Sequence, residues 1–176
     1  MTSRASTGAV IALLLIFTLN AAADEYPEEA RRRLDHLAGT WEVRTEYPDM
    51  EGGIARVVTW RDIYRYTIKD RVLEVITDAP EFELYIRGWV FYNITEKKFY
   101  YTSVGQRGDH WILKGDLDNY VLTSDVRYKA DGSEYLVRFT FYDIEDDSFI
   151  AAMEFTTNNG RTWIPGFRQF HTRVKE

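Results

Sequence analysis

The sequence predicts an all-β chain: a closed, up-and-down antiparallel barrel of about ten strands behind one short N-terminal helix. Three observations predict it. Beyond Gly39, apolar and polar side chains alternate along run after run, the period of a strand with one face buried. Turn residues interrupt the alternation at hairpin intervals. The chain also carries 12 Tyr, 10 Phe and 5 Trp, residues that fit a pleated, half-buried surface.

The first residues read as a leader. Arg4 gives a positive start, Gly8 to Leu19 is apolar except for Thr18, and Ala21-Ala22-Ala23 follows before Asp24. This is the order of a secretory signal, and the run falls short of the about 20 residues a bilayer span needs. We therefore expect a signal peptide over 1–23, one barrel domain over 24–176, and a periplasmic or secreted location. No later segment is apolar enough to span a membrane.

The helix follows. Pro27 suits a first turn, Glu28 and Glu29 suit the positive end of the helix dipole, and Ala30, Leu34 and Leu37 form one apolar stripe. Gly39 is the stop. Strand patterns then begin. Trp41, Val43 and Thr45 alternate with charged residues, as do Tyr64, Tyr66 and Ile68 with Arg65 and Thr67. Tyr135 to Tyr142 and Phe149 to Phe155 repeat the pattern late in the chain. Turns are expected at Glu51-Gly52-Gly53, Lys69-Asp70, Glu96-Lys97-Lys98, Gln106 to Asp109, Asp118-Asn119, Asp131-Gly132-Ser133, Glu145-Asp146-Asp147 and Asn158-Asn159-Gly160. A meander of this kind removes its exposed edges by closing on itself.

Composition narrows the partners. The net charge of −6 disfavours nucleic acid and anionic lipid surfaces. Arg31-Arg32-Arg33 follows Glu28-Glu29 and reads as a solvated helix face. With no cysteine, disulfides and thiolate metal sites are excluded.

Leu37-Ala38-Gly39-Thr40-Trp41, directly after the helix, resembles the opening of the lipocalin and calycin superfamily, in particular small exported bacterial lipocalin-like domains of unknown function. The resemblance implies that Trp41 fills the barrel floor with an arginine of the last strand packed over its indole. Arg173 is the first choice for that arginine and Arg168 the second. Gly39 lets the chain turn tightly from helix to strand. The choice of arginine fixes the last strand's phase: with Arg173 inward, Phe167, Gln169 and His171 face inward as well, whereas with Arg168 inward, Ile164, Phe170 and Val174 line the interior and His171 faces water. Thr156-x-Asn158-x-Gly160-x-Thr162-Trp163 resembles the Asp-box hairpin of sialidase-like propellers. A single copy reads as a stable turn between the last two strands.

Chemistry is sparse. His36, His110 and His171 show no metal-ligand spacing; His36 reads as a surface or cap residue and His110 as a rim residue. No catalytic residue is assigned, because no Gly-x-Ser-x-Gly elbow or nucleophile–base pair stands out. No cofactor is expected, with one alternative: haem held through His171, which a likeness to nitrobindin-type barrels implies. Trp41 departs from that pattern, being followed by Glu42-Val43 with no further glycine. Glu83, Tyr85 and Arg87 share a phase and could orient a substrate, or could form a solvated face. Arg56 and Arg138 each interrupt a strand and could anchor an anion inside or simply face solvent.

The leading expectation is a barrel that binds a small hydrophobic or aromatic molecule. Tyr66, Trp89, Tyr101 and Trp111 are the candidate wall residues, with Arg138 and His171 as polar contacts. Alternatives are a barrel packed solid by its own side chains with no cavity, an isomerase-, lyase- or cyclase-type barrel enzyme, and an interaction module of the cell envelope. Phe82 to Asn93 is apolar on both faces, so an outer apolar patch is possible there.

Overall fold

The computed structural model describes residues 25–49 and 51–175. The leader read over 1–23 lies outside them. Helix α1 (Glu28–Leu37) opens the chain, with Pro27 as its N-cap. Ala30 and Leu34 on its stripe are fully buried. Strands β1 (Gly39–Pro48), β2 (Ile54–Ile68), β3 (Val72–Ala79), β4 (Leu84–Asn93), β5 (Lys98–Gly105) and β6 (His110–Asp116) follow as successive hairpins. After these come β7 (Val121–Ser124), the two-residue β8 (Arg127–Tyr128), β9 (Glu134–Glu145), β10 (Ser148–Thr156) and β11 (Ile164–Arg173).

The sheet closes. β11 pairs antiparallel with β1, and β10 bonds to both β9 and β11. The ring thus runs β1 to β7, then β9, β10 and β11, while β8 pairs with β9 as a short flap. Every pairing is antiparallel between the described strands. Closure gives each strand of the ring a neighbour on both sides.

The expected turns sit between the strands. One further turn interrupts the chain: a 3-10 turn at Pro80–Phe82, with Glu83 in the left-handed region at φ 50°. It resets the phase of β4. Leu84, Ile86, Gly88, Val90 and Tyr92 share the inner face, and Tyr85, Arg87, Trp89 and Phe91 the outer one. Arg87 ion-pairs outside with Asp78 at 2.9 Å. Glu83 lies in the turn, so Glu83, Tyr85 and Arg87 line no interior site. Ile68 also departs from the simple alternation. The β2–β3 register shifts between Tyr66 and Ile68, and Ile68 is exposed.

The floor is built where α1 meets β1 and β11. Ala30 and Leu34 pack against Leu73, Val75, Val90, Phe99, Leu113 and Leu122, so the helix stops one mouth of the barrel. Trp41 is fully buried, and its indole N–H donates to the Leu37 carbonyl at 2.8 Å. The Arg173 guanidinium lies 4.2 Å from the indole centroid and donates to the carbonyls of His36 and Ala38 at 2.6 and 2.7 Å. One side chain thus joins a cation–π contact to the capping of a helix C-terminus. Gly39 adopts φ 133°, and a Cβ there would stand 2.7 Å from Arg173 Nη1; glycine meets both constraints.

At the β10–β11 hairpin, Asn158 Oδ1 accepts hydrogen bonds from Thr156 Oγ1 and the Thr162 amide. Thr156 Oγ1 accepts in turn from the Gly160 amide. The motif ties a turn together.

Candidate functional site

A cavity of about 500 Å³ occupies the barrel, within the range of small-molecule sites. The strands build its wall because alternate residues share a face. Trp60 and Tyr64 enter from β2, Ile86 and Val90 from β4, Tyr101 from β5 and Trp111 from β6. Phe139 and Phe141 of β9, Phe149 and Met153 of β10, and Phe167 of β11 complete the apolar surface. Several aromatic pairs meet edge to face, as in Trp41 against Phe149 at 4.9 Å and 74° and Phe139 against Phe167 at 5.8 Å and 67°, an arrangement ring quadrupoles favour.

Polar groups are few and placed. Asp62 of β2, 6% exposed, accepts hydrogen bonds at Oδ1 from Trp60 Nε1 at 3.0 Å and Thr77 Oγ1 at 2.6 Å. Burial pushes its carboxyl up to about 6, against the pull of those two bonds. Tyr64 and Tyr101 also face the cavity. Burial raises both phenols, Tyr101 to about 12, so each is a neutral donor at ordinary pH. Ser103 and Gln169 add uncharged polar groups.

His171 is 3% exposed and lines the cavity. Its ring stacks on Phe149 at 4.0 Å and 12°. Burial lowers its pKa to about 3, so the imidazole is neutral. Its Nδ1 is buried and has no hydrogen-bond partner among the described residues. His36 is no surface residue: its ring lies 5.8 Å from Trp41 and 5.9 Å from Phe149, because it follows α1 down to the floor. Burial and the nearby Arg173 charge lower its pKa. No group of three His, Asp or Glu side chains suited to a metal ion forms among the described residues.

The structure brings Tyr101, Trp111 and His171 together on the cavity wall and separates the other candidates from it. Tyr66 sits beside α1, where its hydroxyl donates to Asp35 at 2.7 Å. Trp89 is on the outer face, 41% exposed, since the inner position of that stretch is Gly88. A Cβ on Gly88 would meet the Thr102 carbonyl at 2.5 Å. Arg138 is outside as well, paired with Glu154 at 2.7 Å and lying over Trp163 at 4.2 Å. Arg56 is exposed and lies near Phe82 and Tyr47. Asp62 is the residue that sequence reasoning passed over. The available signal was a carboxylate in phase with Trp60, Tyr64 and Tyr66.

No family model matches the chain, and no curated protein matches it. Among solved structures, Rv2717c from M. tuberculosis is similar at TM-score 0.53 and 12% identity, covering 83% of this chain and 98% of that one. EF1p2_mFAP2b bound to DFHBI gives TM-score 0.43 at 10% identity, covering 82% and 99%. The redesigned β-barrel mFAP1, also bound to DFHBI, gives 0.41 at 14% identity, covering 81% and 99%. The likeness to Rv2717c supports the barrel fold.

Proposed function

We propose that this chain is an exported lipocalin-like protein that binds a small hydrophobic or aromatic molecule inside its barrel. One observation carries the reading: a cavity of about 500 Å³ whose wall is mostly aromatic and aliphatic, with a few buried polar groups fixed on it. That is the composition of a preformed small-molecule site. The Gly39–Trp41–Arg173 arrangement at the floor supports the superfamily, and the leader composition supports export to a periplasm or the medium. Among the described residues no helix is long and apolar enough to cross a membrane.

The test uses the neutral apolar dye N-phenyl-1-naphthylamine. Its fluorescence should rise to saturation at one equivalent of protein. Ala151→Trp, which fills the wall, should abolish the rise. Absence of saturable binding, or binding that Ala151→Trp leaves unchanged, would overturn the reading. Native mass spectrometry of protein purified from its own source should show a bound organic molecule. An absorbance scan of that sample tests haem: a Soret band lost in His171→Leu would replace the organic ligand with haem.

A further inference from the structure

Among the described residues, no cation balances the buried carboxylate of Asp62. It lines the cavity and joins none of the ion pairs found among the described residues. Both of its hydrogen bonds reach Oδ1. Oδ2 accepts none from the described residues and is the atom with lone pairs to offer.

The groups around it supply no charge. Tyr64 on its own strand and Tyr101 from β5 are phenols held protonated by burial. Thr77 from β3 and Trp60 from β2 are neutral donors. From β11, Gln169 and His171 reach the same cavity, and His171 is neutral above about pH 3. The cationic side chains that reach the cavity, Arg32 and Arg33, belong to α1 and pair with Glu29. A carboxylate buried without a partner is costly, and no other described residue on this wall relieves it.

We propose that the cavity takes an organic amine: an apolar, preferably aromatic body against the indole and phenyl walls, with a protonated nitrogen ion-paired to Asp62 Oδ2. The proposal rests on the ligand-binding reading above. A cation is the partner that relieves a buried carboxylate. The same cation gains from nearby aromatic faces, and Trp60, Tyr64 and Tyr101 supply them. A carboxylic or phosphoric ligand would set like charges together, and a neutral ligand would leave Asp62 uncompensated. Because burial holds the Asp62 carboxyl near 6, the site is ionised at pH 7.5 and loses its charge in mild acid.

Three probes of one shape separate the terms: 1-naphthylmethylamine, 1-naphthalenemethanol and 1-naphthoic acid, each titrated at pH 7.5 by calorimetry and tryptophan quenching. The amine should bind at least ten-fold tighter than the alcohol, and the acid weakest of the three. The amine's affinity should fall about ten-fold between pH 7 and pH 5 as the carboxylate protonates. Asp62→Asn keeps an oxygen for Trp60 and Thr77, and it should bind amine and alcohol equally. Equal binding of amine and alcohol by the native protein, tighter binding of the acid, or an amine preference that survives Asp62→Asn would overturn the proposal and leave the cavity reading standing. Binding of none of the three would overturn both. Should Asp62→Asn fail to fold, the native protein still decides. Amine binding at pH 6, measured in two buffers of different ionisation enthalpy, should release about half a proton, and alcohol binding none. No release with the amine would overturn the proposal.

Discussion

His171 is a base kept neutral by burial. Its pKa of about 3 in the folded chain lies below its ordinary 6.5. Between those values the unfolded chain takes up a proton that the folded chain refuses. The stability this group contributes is therefore complete above about pH 6.5 and is lost as the pH falls toward 3. Asp62 works the other way. Its pKa is raised from 3.8 to about 6, so its contribution is complete below 3.8 and is lost as the pH rises through 6. Urea unfolding of His171→Leu and the native protein at pH 7 and pH 4 should show the variant gaining on the native chain in acid. The gain is roughly 1.4 kcal/mol per pH unit within the window. A difference that does not change with pH would remove the buried imidazole as the cause. Trp41 is the other residue whose burial matters at this scale. Trp41→Ala should cost about 3–5 kcal/mol in the same assay; a cost below about 1 kcal/mol would mean that the indole does not close the floor.

At the scale of elements, α1 belongs to the barrel as a stopper. Leu34 is fully buried among strand residues, so Leu34→Ala should cost about 2–5 kcal/mol. Thermal or urea melts would check that, and a cost near zero would mean the helix is dispensable. What was legible in the sequence follows the same division. Strands polar on one phase, such as β1, show their inner face directly, and a charged residue against an aromatic alternation marks Asp62 once the face is known. Beside β1, Arg173 packs on Trp41 and turns Phe167, Gln169 and His171 inward. β4 hides its phase because Leu84 and Val90 on one face are matched by Trp89 and Phe91 on the other. Its phase is set by the Pro80–Phe82 turn and by the close approach of β5 to Gly88, which depend on neighbours that local periodicity does not report. Tyr66 was lost from the cavity for a similar reason. It points inward, but α1 occupies that end of the barrel, and Asp35 on α1 takes its hydroxyl.

For the whole molecule, ring closure couples the cavity to global stability. A ligand that binds only the closed barrel stabilises it by about 2.7 kcal/mol at a hundred times its Kd. For a chain of this length that corresponds to a rise in melting temperature on the order of 5–10 °C. Differential scanning fluorimetry with 1-naphthylmethylamine checks it, and a melting temperature unchanged at saturating amine would mean that the probe stays outside. The pairing of β1 with β11 carries one more consequence. These two strands bracket the rest of the barrel in the order of synthesis, and Arg173 must reach back to the carbonyls of His36 and Ala38. As the chain leaves the ribosome, the earlier hairpins can form in turn. The latch cannot fasten until its final rung arrives, so the ring stays open until β11 has been made.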